Sequence, residues 1–339
     1  MRKTVFIPLL GFVLLFGACS KQSAEKAQKV TVYVSEDQVF SEPILKDFEK
    51  ETGIHVNAVY DTEESKGTGV MNRLIAEKHN PQADVYWANE PIRAEALKHK
   101  GILAPYRSPS AEGIAEQFHE KAFYWTGFSA RVRLFVVNNK AAQKPTSIFD
   151  YADPAFKGKG VIANPLFGTT TSHIAALFTV LGDAKAKAFM KQLKANDIAI
   201  STSNGESADF VASGSYDFAL VDSDDAMSRL AQHAPISFVY PDQEKDQIGV
   251  FVVPNTVMLI RGAPHLQTAK KLIDYLLSKK TEEKLAFAEC AQIPLHEGVP
   301  MPKGLKPIDK IKTMQVDYGK VAEKLVEIQP WLKQWLNRN

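Results

Sequence analysis

Apolar and polar positions alternate in two periods along this chain. Val30-Thr31-Val32-Tyr33-Val34 is a β-branched and aromatic run, which predicts a strand. Phe40, Ile44 and Phe48 then repeat at helical spacing, and Gly53 ends the pattern. Ile54 to Tyr60 predicts a second strand, the stripe Val70, Met71, Leu74 and Ile75 a helix, and "ADVYWA" a third strand. From residue 160 the order continues: "GVIANP" strand, Thr171–Leu181 helix, "IAIST" strand, Glu206–Ala212 helix, "DFALV" strand, Asp224–Gln232 helix, "ISFVY" strand. Such alternation predicts two α/β lobes with largely parallel sheets. A closing amphipathic helix is predicted from Val321, Leu325, Ile328, Leu332 and Trp335, its stripe packing on its own lobe.

The N-terminus is a targeting segment. Arg2 and Lys3 precede the apolar run Val5 to Phe16, about 12 residues, where a membrane span needs roughly 20. Gly17-Ala18 then leads to Cys19. Residues 1–18 thus read as a secretory signal peptide, and Ser20 to Lys29 as a polar tether. The ending Leu15-Phe16-Gly17-Ala18-Cys19 resembles the lipobox of bacterial lipoproteins, which implies that Cys19 becomes the mature N-terminus and carries lipid on its sulfur.

Composition narrows the function classes. The net charge of +2 resides in Arg2 and Lys3, so the chain beyond residue 18 is neutral and offers no basic field for nucleic acid. With Cys19 lipidated, Cys290 has no disulfide partner; among Leu285, Phe287 and Ile293 it reads as a small buried hydrophobe. No Gly-x-Ser-x-Gly, His-Glu-x-x-His or Gly-Lys-Ser/Thr phosphate loop occurs, so no enzyme activity and no cofactor are expected.

The polar clusters gather where an open α/β sheet places ligands, after the carboxyl ends of strands. Glu36 and Asp37 follow the first strand, and Asn89-Glu90 the third. The turn Gly168-Thr169-Thr170-Thr171-Ser172 opens a helix, where hydroxyls and free N–H groups together suit an oxoanion. Asn204 sits in the next polar loop. Arg131 and Arg133 alternate on "SARVRLFVVNN" and face one way, either to grip an anion or as solvated arginines of an edge strand. Most acidic is "LVDSDDAM", with Asp222, Asp224 and Asp225 directly behind an apolar run. Helix capping accounts for one or two of these carboxylates but strains to account for all three. An EF-hand is excluded, because Met227 and His233 stand where glycine and glutamate belong.

Taken together, the lipobox, "VTVYVSEDQVFSEPILKDFEKETGI", "PQADVYWANE", "WTGFSARVRLFVVNN", "SGSYDFALVDSDDA" and "AQIPLHEGVPMPKGLKPI" resemble bacterial extracellular solute-binding proteins of the ferric-ion-binding type. The resemblance implies the type II periplasmic-binding-protein fold: a two-lobed α/β clamp with the ligand cleft between lobes. It places residues 30–132 and 256–305 in one lobe and 133–255 and 306–339 in the other, with crossings near Arg131–Asn138 and Phe251–Thr256. It implies a monomeric receptor, lipid-anchored outside the cytoplasm, that serves a membrane permease and its ATPase. The metal half departs from the family pattern: Asp224 and Asp225 stand where iron-binding members carry tyrosines, and Asp37 where a histidine is frequent. Metal ligation therefore falls to Asp37, Glu90, Asp224 and Asp225. Asn89, Arg131, Arg133, Thr169, Thr170, Thr171, Asn204 and Asp222 complete the ligand-binding set. A hard cation such as Fe(III) with an accompanying oxoanion satisfies both halves. So does a zwitterion, its ammonium at the aspartates and over Trp87 or Trp125, its phosphate, phosphonate or carboxylate at the threonine turn. A surface interaction protein without a transport role is the remaining alternative.

Overall fold

The structure is a computed structural model that describes residues 28–61 and 68–337. Cys19, the signal peptide and most of the tether lie outside the described residues. In chain order the first half contains β1 (Lys29–Val34), α1 (Gln38–Thr52), β2 (His55–Tyr60), α2 (Thr68–Ala76), β3 (Val85–Ala88), α3 (Pro91–His99) and the short β4 (Leu103–Ala104). The long β5 (Thr126–Asn138) follows. Then come β6 (Gly160–Ala163), α4 (Gly168–Leu181), α5 (Asp183–Ala195), β7 (Ala199–Ser201), α6 (Asn204–Ser213), β8 (Phe218–Asp222), α7 (Ser223–Ala231) and β9 (Ile236–Val239). The chain returns through β10 (Val252–Ile260), α8 (Leu266–Leu276) and α9 (Lys279–Phe287), and ends in α10 (Tyr318–Asn337).

One sheet path runs β2-β1-β3-β10-β5-β8-β6-β7. Each wing is parallel, as the strand–helix alternation predicts: β1 pairs with β2 and β3, and β6 pairs with β7 and β8. The middle is antiparallel. β10 pairs with β3 and with the first half of β5, through Val132 opposite Val252. The second half of β5 pairs with β8 and β9, with Arg133 opposite Asp222. β5 thus passes from one wing to the other between Val132 and Arg133, and every one of its 13 residues is buried. A strand buried on both faces reads as a nearly continuous apolar run, and "VRLFVV" is one.

Cores form on both faces of this sheet. Phe135, Phe218, Tyr151 and Phe178 pack on one, and Val132, Phe128, Leu272 and Ile293 on the other. Cys290 is buried with no disulfide partner, its Sγ 3.4 Å from the Leu285 carbonyl, and burial pushes its thiol pKa up. The closing helix differs from expectation in one respect. Its stripe Val321, Ile328, Leu332 and Trp335 is buried, but α10 packs on α3 from the first half of the chain as well as on α4. Tyr318 anchors its start at the strand crossing, donating to the Val252 carbonyl at 2.8 Å between the rings of Trp125 and Phe251. Among the described residues no helix is long and apolar enough to cross a membrane.

Candidate functional site: an aspartate cluster at the strand crossing

Where β5 changes wings, four elements converge. β5 contributes Arg131 and Arg133, the β3–α3 corner contributes Asn89 and Glu90, the start of α4 contributes its hydroxyls, and the β8–α7 corner contributes the aspartates. Gly168 sets the entry to α4, with φ +59° in the left-handed region that glycine adopts freely. Thr169, Thr170, Thr171 and Ser172 follow at once in the first turn of the helix, all of them buried.

Arg133 is fully buried and neutralises Asp222. Its Nη1 donates to Asp222 Oδ1 at 3.0 Å and to Thr169 Oγ1 at 3.2 Å. Its Nη2 donates to Thr170 Oγ1 at 3.1 Å and to the Leu220 carbonyl at 3.0 Å. The other Asp222 oxygen accepts from Thr169 Oγ1 at 2.7 Å, and Asn204 Nδ2 donates to Thr169 Oγ1 at 2.9 Å. Burial alone would raise the Asp222 pKa; Arg133 and Arg131 outweigh it and hold the carboxyl below its usual value. Neither arginine belongs to a solvated edge strand, and Arg133 has no Nη donor left for a ligand.

Capping accounts for the place of Asp222 but not for what its side chain does. Asp222 stands at the N-cap position of α7, yet its side chain makes no cap hydrogen bond. A buried guanidinium 3.0 Å away attracts a carboxylate more strongly than a neutral amide does.

Asp224 and Asp225 are left with little compensation. One carboxylate oxygen from each of Asp222, Asp224 and Asp225 lies within 4.8 Å of the others. Arg131 Nη1 is 3.7 Å from Asp222 Oδ2 and 3.7 Å from Asp224 Oδ2, too long for good hydrogen bonds. Burial raises the Asp224 pKa to about 6, Arg131 opposing and Asp222 and Asp37 adding to it. Burial, together with Asp224 and Asp222, lifts the Asp225 pKa well above its ordinary value, against the weaker pull of Arg229 and Arg133. Burial opposes the charge on Arg131, but Asp224, Asp222, Glu36 and Asp225 hold its pKa above the ordinary value. The cluster is therefore short of positive charge, and a cation placed between the three carboxylates would relieve it.

The remaining residues predicted for the site occupy distinct places. Asp37, half-buried at the start of α1, is close enough to act on Asp224 electrostatically. Glu90 stands apart from the aspartates: its carboxylate accepts from Ser172 Oγ at 2.5 Å and pairs with Arg93. The Asn89 carbonyl accepts from Arg131, while Asn89 Oδ1 and Thr171 Oγ1 are buried without partners. Asn204, at the start of α6, accepts from Thr170 Oγ1 at 3.0 Å. Trp87 and Trp125 do not offer faces to a cation. Trp87 is buried against Phe128, and Trp125 donates to Glu95 at 2.8 Å and meets Tyr318. Two partners escaped the sequence reading. Ser172 belongs to the threonine turn and nothing local ties it to Glu90, whereas Arg93 lies three residues from Glu90, the spacing of helix neighbours.

A clamp of this shape, with its polar cluster where two antiparallel strands cross between parallel wings, is the architecture of periplasmic solute receptors. The chain belongs to the bacterial extracellular solute-binding protein family, whose profile matches residues 33–283. It is 27% identical to iron uptake protein A1 of Synechocystis over 95% of this chain and 92% of that protein. It is 26% identical to a putative 2-aminoethylphosphonate-binding periplasmic protein of Salmonella typhimurium, over 85% of this chain and 80% of that one. Among solved structures, the apo ferric ion-binding protein A of Pasteurella haemolytica superposes with a TM-score of 0.81 at 22% identity, covering 91% of this chain and 98% of its own.

Proposed function

We propose that this protein is the receptor of an ATP-driven importer and captures a hard cation, Fe(III) foremost, between its lobes. The observation that carries the reading is the convergence of Asp222, Asp224 and Asp225 with too little neighbouring positive charge. Hard cations prefer oxygen donors, and three carboxylates supply them. The family membership supports a solute receptor, and the iron uptake relative supports this cargo. The cation is cargo rather than a cofactor, and the partners are a membrane permease and its ATPase. Elemental analysis with native mass spectrometry of protein purified from its host tests this directly. One equivalent of iron is the expected result, and metal-free protein carrying an organic amine would replace the reading.

That outcome is the second reading, a zwitterion with an ammonium at the aspartates. The relative named for 2-aminoethylphosphonate favours it. Calorimetry with that compound beside ferric ion separates the two.

The lobes are taken as residues 30–132 with 256–305 and residues 133–255 with 306–339, hinged at β5 and β10. Ligand closes them on each other, so small-angle scattering is expected to show a smaller radius of gyration for the loaded protein. An unchanged radius at saturation counts against a clamp. Cys19 anchors the monomeric receptor by lipid outside the cytoplasm. Cys19→Ser is expected to move the protein from the membrane fraction to the soluble fraction; retention of the variant in the membrane, with no lipid mass on the wild type, removes the anchor.

A further inference from the structure

The hydroxyl turn of α4, which the sequence reading assigns to an oxoanion, is already filled by carboxylates of the chain itself. Asp222 takes Thr169 Oγ1, while Glu90, from the other wing of the sheet, takes Ser172 Oγ at 2.5 Å. Glu90 is held in that position from three sides. Arg93 pairs with its carboxylate across the first turn of α3, Thr256 Oγ1 on β10 donates to its carbonyl at 3.2 Å, and Arg131 on β5 grips the preceding Asn89 carbonyl. Glu90 is only 4% exposed and Ser172 1%, so this contact spans the closed cleft away from water. An incoming phosphate or carboxylate would have to displace the Glu90 carboxylate, itself held by Arg93, from the same hydroxyl. Thr171 Oγ1, Asn89 Oδ1 and the Nε atoms of Arg131 and Arg133 are buried without partners, but both guanidinium groups are already committed through their Nη atoms, Arg131 to the Asn89 carbonyl and Arg133 to Asp222 and the threonines.

From this we infer that Glu90 is a built-in anion and interlobe latch. It substitutes for a ligand oxoanion at the α4 turn, so the cargo enters as a cation without an accompanying oxoanion. The inference rests on the cation reading for its second half only; the occupancy of the turn by Glu90 stands independently of which cation binds.

The test titrates full-length protein with inorganic phosphate alone, and then with ferric ion at zero and millimolar phosphate, for wild type, Glu90→Ala and Glu90→Gln. Wild type is expected to bind no phosphate, and its iron affinity to ignore phosphate. Glu90→Ala is expected to gain phosphate binding by at least tenfold over wild type and to bind iron more tightly when phosphate is present. Glu90→Gln keeps the volume and the contact with Ser172, so it remains usable if the alanine variant does not fold; it gains phosphate binding to a smaller extent. Phosphate binding to wild type as tight as to the variants overturns the latch, as does wild-type iron binding that requires phosphate. The expected phosphate results with no iron binding by any form uphold the latch and dispose of the iron reading instead.

Discussion

Replacing Asp224 and Asp225 together with asparagine is expected to lower cation affinity by a hundredfold or more while leaving the melting temperature at neutral pH unchanged or higher. Each charge-assisted contact contributes about 1.5–3 kcal/mol, so losing two costs about 3–6 kcal/mol of binding. The stability side has the opposite sign. Burial raises both carboxyl pKa values in the folded protein, Asp224 to about 6. Between the ordinary carboxylate range and pH 6 the folded state therefore holds more protons than the unfolded chain, and stability declines as pH rises through that window. Above it the two aspartates are a standing cost, which asparagine removes. Cation binding has the reverse profile in the wild type: affinity falls as pH drops through about 6, because a protonated Asp224 no longer attracts the ion. Calorimetry across that pH range, with thermal melts of both proteins, checks all three statements. Full affinity in the double variant would move the cargo elsewhere in the cleft.

Arg133→Leu is expected to be the most destabilising of these substitutions, by about 3–5 kcal/mol, because it removes the hydrogen-bonded counter-charge of a buried carboxylate and leaves only Arg131 at 3.7 Å. Asp222 would keep Thr169, which donates at 2.7 Å, but would lose the 3.0 Å contact with Nη1. Thr170 and the Leu220 carbonyl would lose their donors as well. Adding Asp222→Asn to Arg133→Leu removes the carboxylate charge, so the double variant should recover much of the loss. Urea unfolding of the two variants gives the comparison. A small cost for Arg133→Leu alone would mean that the pair is not the structural centre of the crossing.

The parallel wings were legible in the chain because each strand is a short apolar run set off by turn residues, and each following helix opens on a polar cluster. Strand β8 and its aspartates are the clearest instance: Phe218 to Val221 are apolar, and the acids begin where the strand ends. The middle of the sheet was harder to read. Whether β5 lies at an edge or in the interior depends on β10, which arrives more than a hundred residues later and reverses the strand direction. Without that partner, Arg131 and Arg133 are equally consistent with solvent and with burial. Helix α5 was not anticipated, since "DAKAKAFMKQLKA" shows more lysine than stripe, although Phe189, Met190 and Leu193 are buried on one side. The function of Asp222 was hidden for a related reason. Its position at the start of α7 satisfies every local rule for a cap, while the guanidinium that claims it comes from residue 133. The pairing of Glu90 with Ser172, 82 residues apart, is invisible until the wings are brought together.

Helix α10 adds a constraint on how such a receptor can move. Two adjacent strands, β5 and β10, form a strip about which the wings could both bend and twist. The closing helix rests on α3 in one wing and α4 in the other, with Tyr318 pinned to the Val252 carbonyl. A brace fastened to both leaves of a door holds it shut rather than guiding its swing. Parting the threonine turn from the Glu90 corner would therefore require α10 to release α3 or α4.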